Sequence, residues 1–130
     1  MLLDKYRPYV LGFVRILVGY SFILHATAKF WEFPASMTGG NGGVQLASLM
    51  GVGGVIELVF GALFIIGFFT RVSAFLLSGQ MAVAYLMFHA PSAPFFPMVN
   101  HGEPAILYSF IFLLFVFFGA GAFSVDSKRQ

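Results

Sequence analysis

Residues 8–31 read PYVLGFVRILVGYSFILHATAKFW. As an α-helix at about 1.5 Å per residue, this stretch exceeds the ~30 Å of a bilayer's hydrocarbon. The run is too long, and too interrupted by Arg15, His25 and Lys29, to read as the short clean core of a secretory signal. Pro8 at its start suits a first helical turn, where a missing N–H leaves no bond unmade. Arg15, Val18, Phe22, His25 and Lys29 recur at alternating three- and four-residue steps, which predicts one stripe turned toward neighbouring helices. Gly12 and Gly19 lie on or beside that stripe and allow close approach of a second helix.

The rest of the chain repeats the theme. Of 130 residues, 59% are hydrophobic and only 9% charged, with 18 Phe. A soluble domain carries about a quarter charged residues, and a chain this small has too little interior to hide the surplus. Lipid is the expected surroundings. Further spans are predicted at about 46–69, 72–89 and 104–123, giving an all-α, polytopic transmembrane four-helix bundle in one domain covering 1–130. Residues 33–45 read as an exposed Gly-rich loop. Pro91, Pro94 and Pro97 bar regular helix through residues 90–103, and Phe95-Phe96 there suits the membrane interface. Lys5, Arg7, Arg71, Lys128 and Arg129 fall on one side of the spans and Lys29 near the other, so the positive-inside rule predicts both termini in the cytoplasm. The scattered basic residues give no reason to expect nucleic acid as a partner. The absence of cysteine excludes disulfides, thiolate catalysis and iron–sulfur clusters.

Ionisable residues at membrane depth are costly and mark candidate sites. Glu57, with Gly53 and Gly61 four residues either side, is expected to point into the bundle. Helical rise puts it roughly 16 Å below the outer end of its span and His25 roughly 8 Å below its own, within reach through a water or small ligand. Arg15 is expected about 10 Å from the cytoplasmic end, level with Gln80, unless it snorkels to the headgroups. Toward the outer half His25, Lys29, His89, Asn100, His101 and Glu103 gather. The expected polar seam is therefore Arg15, His25, Lys29, Glu57, Gln80, Asn100 and Glu103. No metal signature such as His-Glu-x-x-His is present, so no metal site is expected. A haem between His25 and His89 ranks below exposed loop positions for His89 and His101. The plain structural alternative stands beside all of this: Arg, Glu and Gln between helices also serve as polar glue.

In this order the residues resemble the DoxX family of small bacterial four-helix membrane proteins. Arg15-x3-Gly19 and His25-x3-Lys29-Phe30 are similar to the family's first helix. Glu57-x3-Gly61 followed by Gly67-Phe68-Phe69-Thr70-Arg71 is similar to its second helix and turn. Asn100-x-Gly102-Glu103 resembles the entry to the fourth helix, and Gly119-Ala120-Gly121-x2-Ser124-x-Asp126 the closing pattern. Ala26 and Ala120 depart from it, standing where Gly and Pro are usual. The resemblance implies a quinone- or redox-associated small subunit of a membrane oxidoreductase system, with partner subunits, and leaves open whether the chain itself catalyses. On that reading His25 or Lys29 donates to a quinone carbonyl and Glu57 relays a proton. A non-catalytic scaffold or assembly factor, and a small transporter built on Glu57 in a homo-oligomer, are the alternatives.

Overall fold

The computed structural model describes residues 2–128; Arg129, one of the expected cytoplasmic basic residues, lies outside the described residues. A 3-10 helix, Leu2–Tyr6, runs directly into α1, Arg7–Trp31. Helix α2 spans Leu49–Ile66, and α3 spans Thr70–Ala84 and continues as a π-helical turn, Tyr85–His89. A short α4, Pro97–Asn100, precedes α5, Glu103–Phe118, and a final turn α6 covers Val125–Lys128. Among the described residues there are thus six α-helices, four of them long, and no strand. Three helices, Leu2–Trp31, Leu49–Ile66 and Thr70–His89, are long and apolar enough to cross a membrane, while α5 is an apolar helix of 16 residues.

Local chemistry sets these boundaries. Ser48 caps α2, its side chain accepting from Gly51 N, and Gly67, at φ 73°, ends it in the left-handed conformation that glycine tolerates. The cap of α3 comes from the far end of the chain: Asp126 accepts from Phe69 N at 3.0 Å and Thr70 N at 2.9 Å. The fourth span departs from expectation. Its apolar run reads through to Phe123, yet α5 stops at Phe118. Gly119 (φ 78°) and Gly121 (φ 74°) turn the chain back toward α1, where Ala122 N donates to Pro8 O at 2.8 Å.

Consecutive long helices are antiparallel. Lys29 meets Glu57 and Arg15 meets Ile65 across α1 and α2; Arg71 meets Val116 and Ser78 meets Ser109 across α3 and α5. The first and last described segments, Leu2–Tyr6 and Val125–Lys128, therefore share one end of the molecule. The core takes side chains from all four long helices: Phe22, Phe64, Ala74, Leu77, Met81, Phe112 and Phe115. Phe112 meets Phe22 and Phe64 edge-to-face at centroid distances of 5.0 Å each, the arrangement aromatic quadrupoles favour. Outside this narrow core the helices present apolar side chains outward, among them Phe13, Leu17, Val59, Phe75, Phe110 and Phe117. Only 28% of each spanning window is buried within the protein. Lipid tails are as apolar as such side chains, so close packing and polar contacts, not exclusion from water, hold the helices together.

Candidate functional site

The polar centre begins with glycines. Helix α2 opens Leu49-Met50-Gly51-Val52-Gly53-Gly54, and the missing side chains clear a path across its surface. A Cβ at Gly54 would lie 3.4 Å from Lys29 Cδ and 2.7 Å from the Phe30 ring. The lysine stem runs through that gap to Glu57, where Nζ donates to Oε1 at 2.8 Å. Both residues are buried, Lys29 at 8% and Glu57 at 2% exposure. From α3, Gln80 reaches the same place and donates through Nε2 to Gly53 O at 3.0 Å. Three helices thus bring together Lys29, Glu57 and Gln80, three of the seven expected seam residues.

The other four sit elsewhere. Arg15 is fully buried near the terminal end. It donates to Ala120 O (2.5 Å), Ala122 O (2.9 Å), Phe123 O (2.6 Å) and, from Nε and Nη2, Ile65 O (3.3 Å each). It is not level with Gln80. The first two turns of α1 run alongside residues 119–123, so Arg15 stands at the foot of the other helices, where α2 ends. It is enclosed by carbonyls and does not snorkel.

His25 is turned away from Glu57. The buried residues of α1 form a stripe of Gly12, Arg15, Gly19, Phe22, Ala26 and Lys29, with Ala28 buried as well. The step after Phe22 is four residues, then three, so Ala26 occupies the seam and His25 lies about 100° away around the helix. Its ring sits edge-on to Tyr108 of α5 at 5.7 Å, and Nδ1 is 3.0 Å from Phe22 O. Asn100 is buried at the end of α4, donating to Tyr85 Oη (2.9 Å) and Ala93 O (2.8 Å) and accepting from Gly102 N (2.8 Å). His89 stacks on Tyr85 and meets Asn100 O at 3.1 Å, while His101 and Glu103 are exposed. His25 and His89 are therefore held by different neighbours. Among the described residues no group of three or more His, Cys, Asp or Glu is placed to hold a metal ion.

A second feature lies beside His25. A groove of about 410 Å³ separates α1 from α5, lined by Leu17, Val18, Ser21, Leu107, Tyr108 and Ile111. Within it Ser21 Oγ and Tyr108 Oη are 2.6 Å apart. Ser21 precedes His25 by one helical turn, so a hydroxyl pair borders the apolar slot and the imidazole packs against Tyr108 without lining the slot itself. Sequence reading missed Ser21 and Tyr108. The available signal was a hydroxyl at four-residue spacing from His25 and a lone Tyr in the Phe-rich run of α5.

Membrane-length apolar helices, a glycine-lined ion pair between them and an arginine clasped at the terminal end define a helical membrane protein. The DoxX family model matches residues 10–90, more than half of the chain, which therefore belongs to the DoxX family. A protein from Haemophilus influenzae (strain ATCC 51907 / DSM 11121 / KW20 / Rd), described as an uncharacterized protein, is 58% identical over 128 residues, covering 97% of this chain and 95% of that one. No solved structure matches.

Proposed function

We propose that the chain is a single four-helix transmembrane domain of the bacterial inner membrane, with both termini cytoplasmic, acting as a small redox-associated subunit that holds a quinone ring in the groove between α1 and α5. Lys5, Arg7, Arg71 and Lys128 at the terminal end support the orientation. The observation that carries the site is the Ser21–Tyr108 hydroxyl pair in that apolar groove, with His25 packed against the Tyr108 ring. The fit is chemical: an apolar slot suits a ring and tail, and a tyrosine hydroxyl supplies a donor for a carbonyl oxygen. Phe22 O can only accept, so His25 carries its proton on Nδ1 and presents Nε2 as the acceptor. Nε2 is then the atom that takes up a proton, a role expected of Glu57, whose Oε1 is already engaged by Lys29. A quinone, when bound, supplies the electron and proton carrying; a partner oxidoreductase subunit in the bilayer supplies the electrons.

The test is quinone extraction from protein purified in mild detergent, with equilibrium binding of a short-chain quinone. Tyr108→Phe removes one hydrogen bond and weakens binding about 2- to 10-fold. An extract free of quinone, together with no measurable binding, rejects the reading. A non-catalytic scaffold is the second reading, favoured because the Lys29–Glu57 pair and the carbonyl-bound Arg15 have the form of polar glue. It is supported if His25→Ala and Tyr108→Phe proteins retain full cellular activity and the same co-purifying partners. Loss of activity with partners retained rejects it.

A further inference from the structure

Among the described residues Arg71 bonds the protein through Nη1 alone, which donates to Val116 O at 2.8 Å and Phe117 O at 2.7 Å. No carboxylate of the described residues pairs with it. The opposite edge of the guanidinium, Nε and Nη2, carries parallel N–H donors, the fork that matches two oxygens of a carboxylate or phosphate. Gly119 keeps that edge uncovered: a Cβ there would lie 3.1 Å from Nη2 and 3.5 Å from Nε. Arg71 and Gly119 line one open cavity of about 1050 Å³, set between the start of α3, the end of α5 and the first turn of α1. The ends of membrane spans are where hydrocarbon gives way to headgroups. Tyr9, Phe69, Val72, Phe118 and Phe123 also line the cavity, and each is more than half exposed.

We propose that this cavity holds the phosphate group of a membrane phospholipid. Two phosphate oxygens accept from Arg71 Nε and Nη2, and the acyl chains lie over the exposed apolar side chains. The chemistry recognised is a phosphate, and two observations favour a lipid over a free ion as its source. Asp126, the other charged side chain on the wall among the described residues, accepts from Phe69 N and Thr70 N. Its carboxylate disfavours a second negative charge, so a singly charged phosphodiester suits the cavity better than a phosphate dianion. The apolar lining gains dispersion contacts from acyl chains and none from a bare ion. The site rests on the transmembrane reading of the chain, whichever face is cytoplasmic. It shares no lining residue with the groove between α1 and α5 and does not depend on what that groove holds.

The experiment titrates the full chain in mild detergent with short-chain phosphatidylglycerol, or with diacylglycerol of the same chains, and follows bound lipid by native mass spectrometry. Phosphatidylglycerol is expected to bind at least about 10-fold more tightly than diacylglycerol. Arg71→Gln is expected to remove that preference, whereas Arg7→Gln, at the same end of the molecule but outside the cavity lining, is expected to keep it. Sodium phosphate is expected to displace no more lipid than sodium chloride of equal ionic strength. Solid-state NMR of wild-type protein in phosphatidylglycerol nanodiscs is expected to show dipolar contact between lipid phosphorus and the Arg71 side-chain nitrogens, which decides the matter if Arg71→Gln does not fold. Equal affinity for the two lipids, a preference undiminished in Arg71→Gln, equal losses in the two variants, or no phosphorus contact at Arg71 overturns the site. Displacement by phosphate ion overturns the lipid as its source. A chain that fails to enter nanodiscs overturns the transmembrane reading and the site with it.

Discussion

Removing Lys29, removing Glu57 and removing both are expected to have quite different consequences for stability. In Lys29→Met the carboxylate of Glu57, 2% exposed and about two turns into α2, loses its one cationic partner and is too short to reach water. Breaking a buried pair in this way costs about 3–5 kcal/mol. In Glu57→Leu the lone ammonium sits on a long stem two residues from the end of α1 and can rise toward the headgroups, so about 1–3 kcal/mol is expected. Lys29→Met/Glu57→Leu leaves no charge behind and should fall within about 1 kcal/mol of wild type. The double-mutant cycle then gives a coupling of at least about 3 kcal/mol. Reversible unfolding in mixed micelles, titrated with dodecyl sulfate and followed by far-ultraviolet circular dichroism, measures all four proteins. Single variants indistinguishable from wild type, or a double variant whose loss equals the sum of the singles, would refute the view that these two charges stabilise one another inside the protein. If the double variant is stable yet inactive in cells, the pair has a role beyond holding helices.

Other substitutions probe the rest of the scaffold. Arg15→Lys replaces a planar fork by three donors on one atom and leaves at least one of four carbonyls unpaired, costing about 1–3 kcal/mol; an unchanged thermal midpoint in detergent would contradict the clasp. Gly54→Ala drives a methyl into the Phe30 ring and the Lys29 stem and should lose about 1–3 kcal/mol. Gly79→Ala, on the open face of α3, should gain up to about 1 kcal/mol from helix propensity, and a reversed order of these two melting temperatures would refute the packing. Asp126→Ala strips both acceptors from the start of α3 and should cost about 0.5–2 kcal/mol, seen as faster amide exchange at Phe69 and Thr70.

Helix positions were legible because apolar runs of membrane length are hard to misread, and the charged and glycine positions of α1 and α2 gave the seam its two main residues, Lys29 and Glu57. Three misreadings have definite causes. His25 and Ala26 are neighbours on a helix that turns about 100° per residue, and a three-four alternation accepts either, so the pattern alone could not decide which faces inward. Gln80 was matched to Arg15 by counting rise from the ends of the spans. That assumes helices starting in one plane, whereas α1 begins two turns earlier, beside residues 119–123. The end of α5 was hidden because Phe123 continues the apolar run, while the chain direction is set by positive φ at Gly119 and Gly121. The partners of Arg15 were illegible for a deeper reason. They are backbone carbonyls, which every residue owns, and no residue type announces them. The Ser21–Tyr108 contact likewise depends on how α1 and α5 meet, across a long sequence separation.

The clasp on Arg15 has a bearing on biosynthesis. Its guanidinium lies on α1, made about a hundred residues before three of its four carbonyl partners, which belong to Ala120, Ala122 and Phe123. The cap on α3 also waits for Asp126. A ribosome must therefore deliver the chain through Phe123 before the charge on α1 meets its final partners. Until then that helix depends on the translocon, on lipid headgroups or on a chaperone to keep Arg15 solvated. Closure of the bundle is a late, post-insertion event, and a nascent chain stopped short of Ala120 should be recognised by membrane quality control as unfinished.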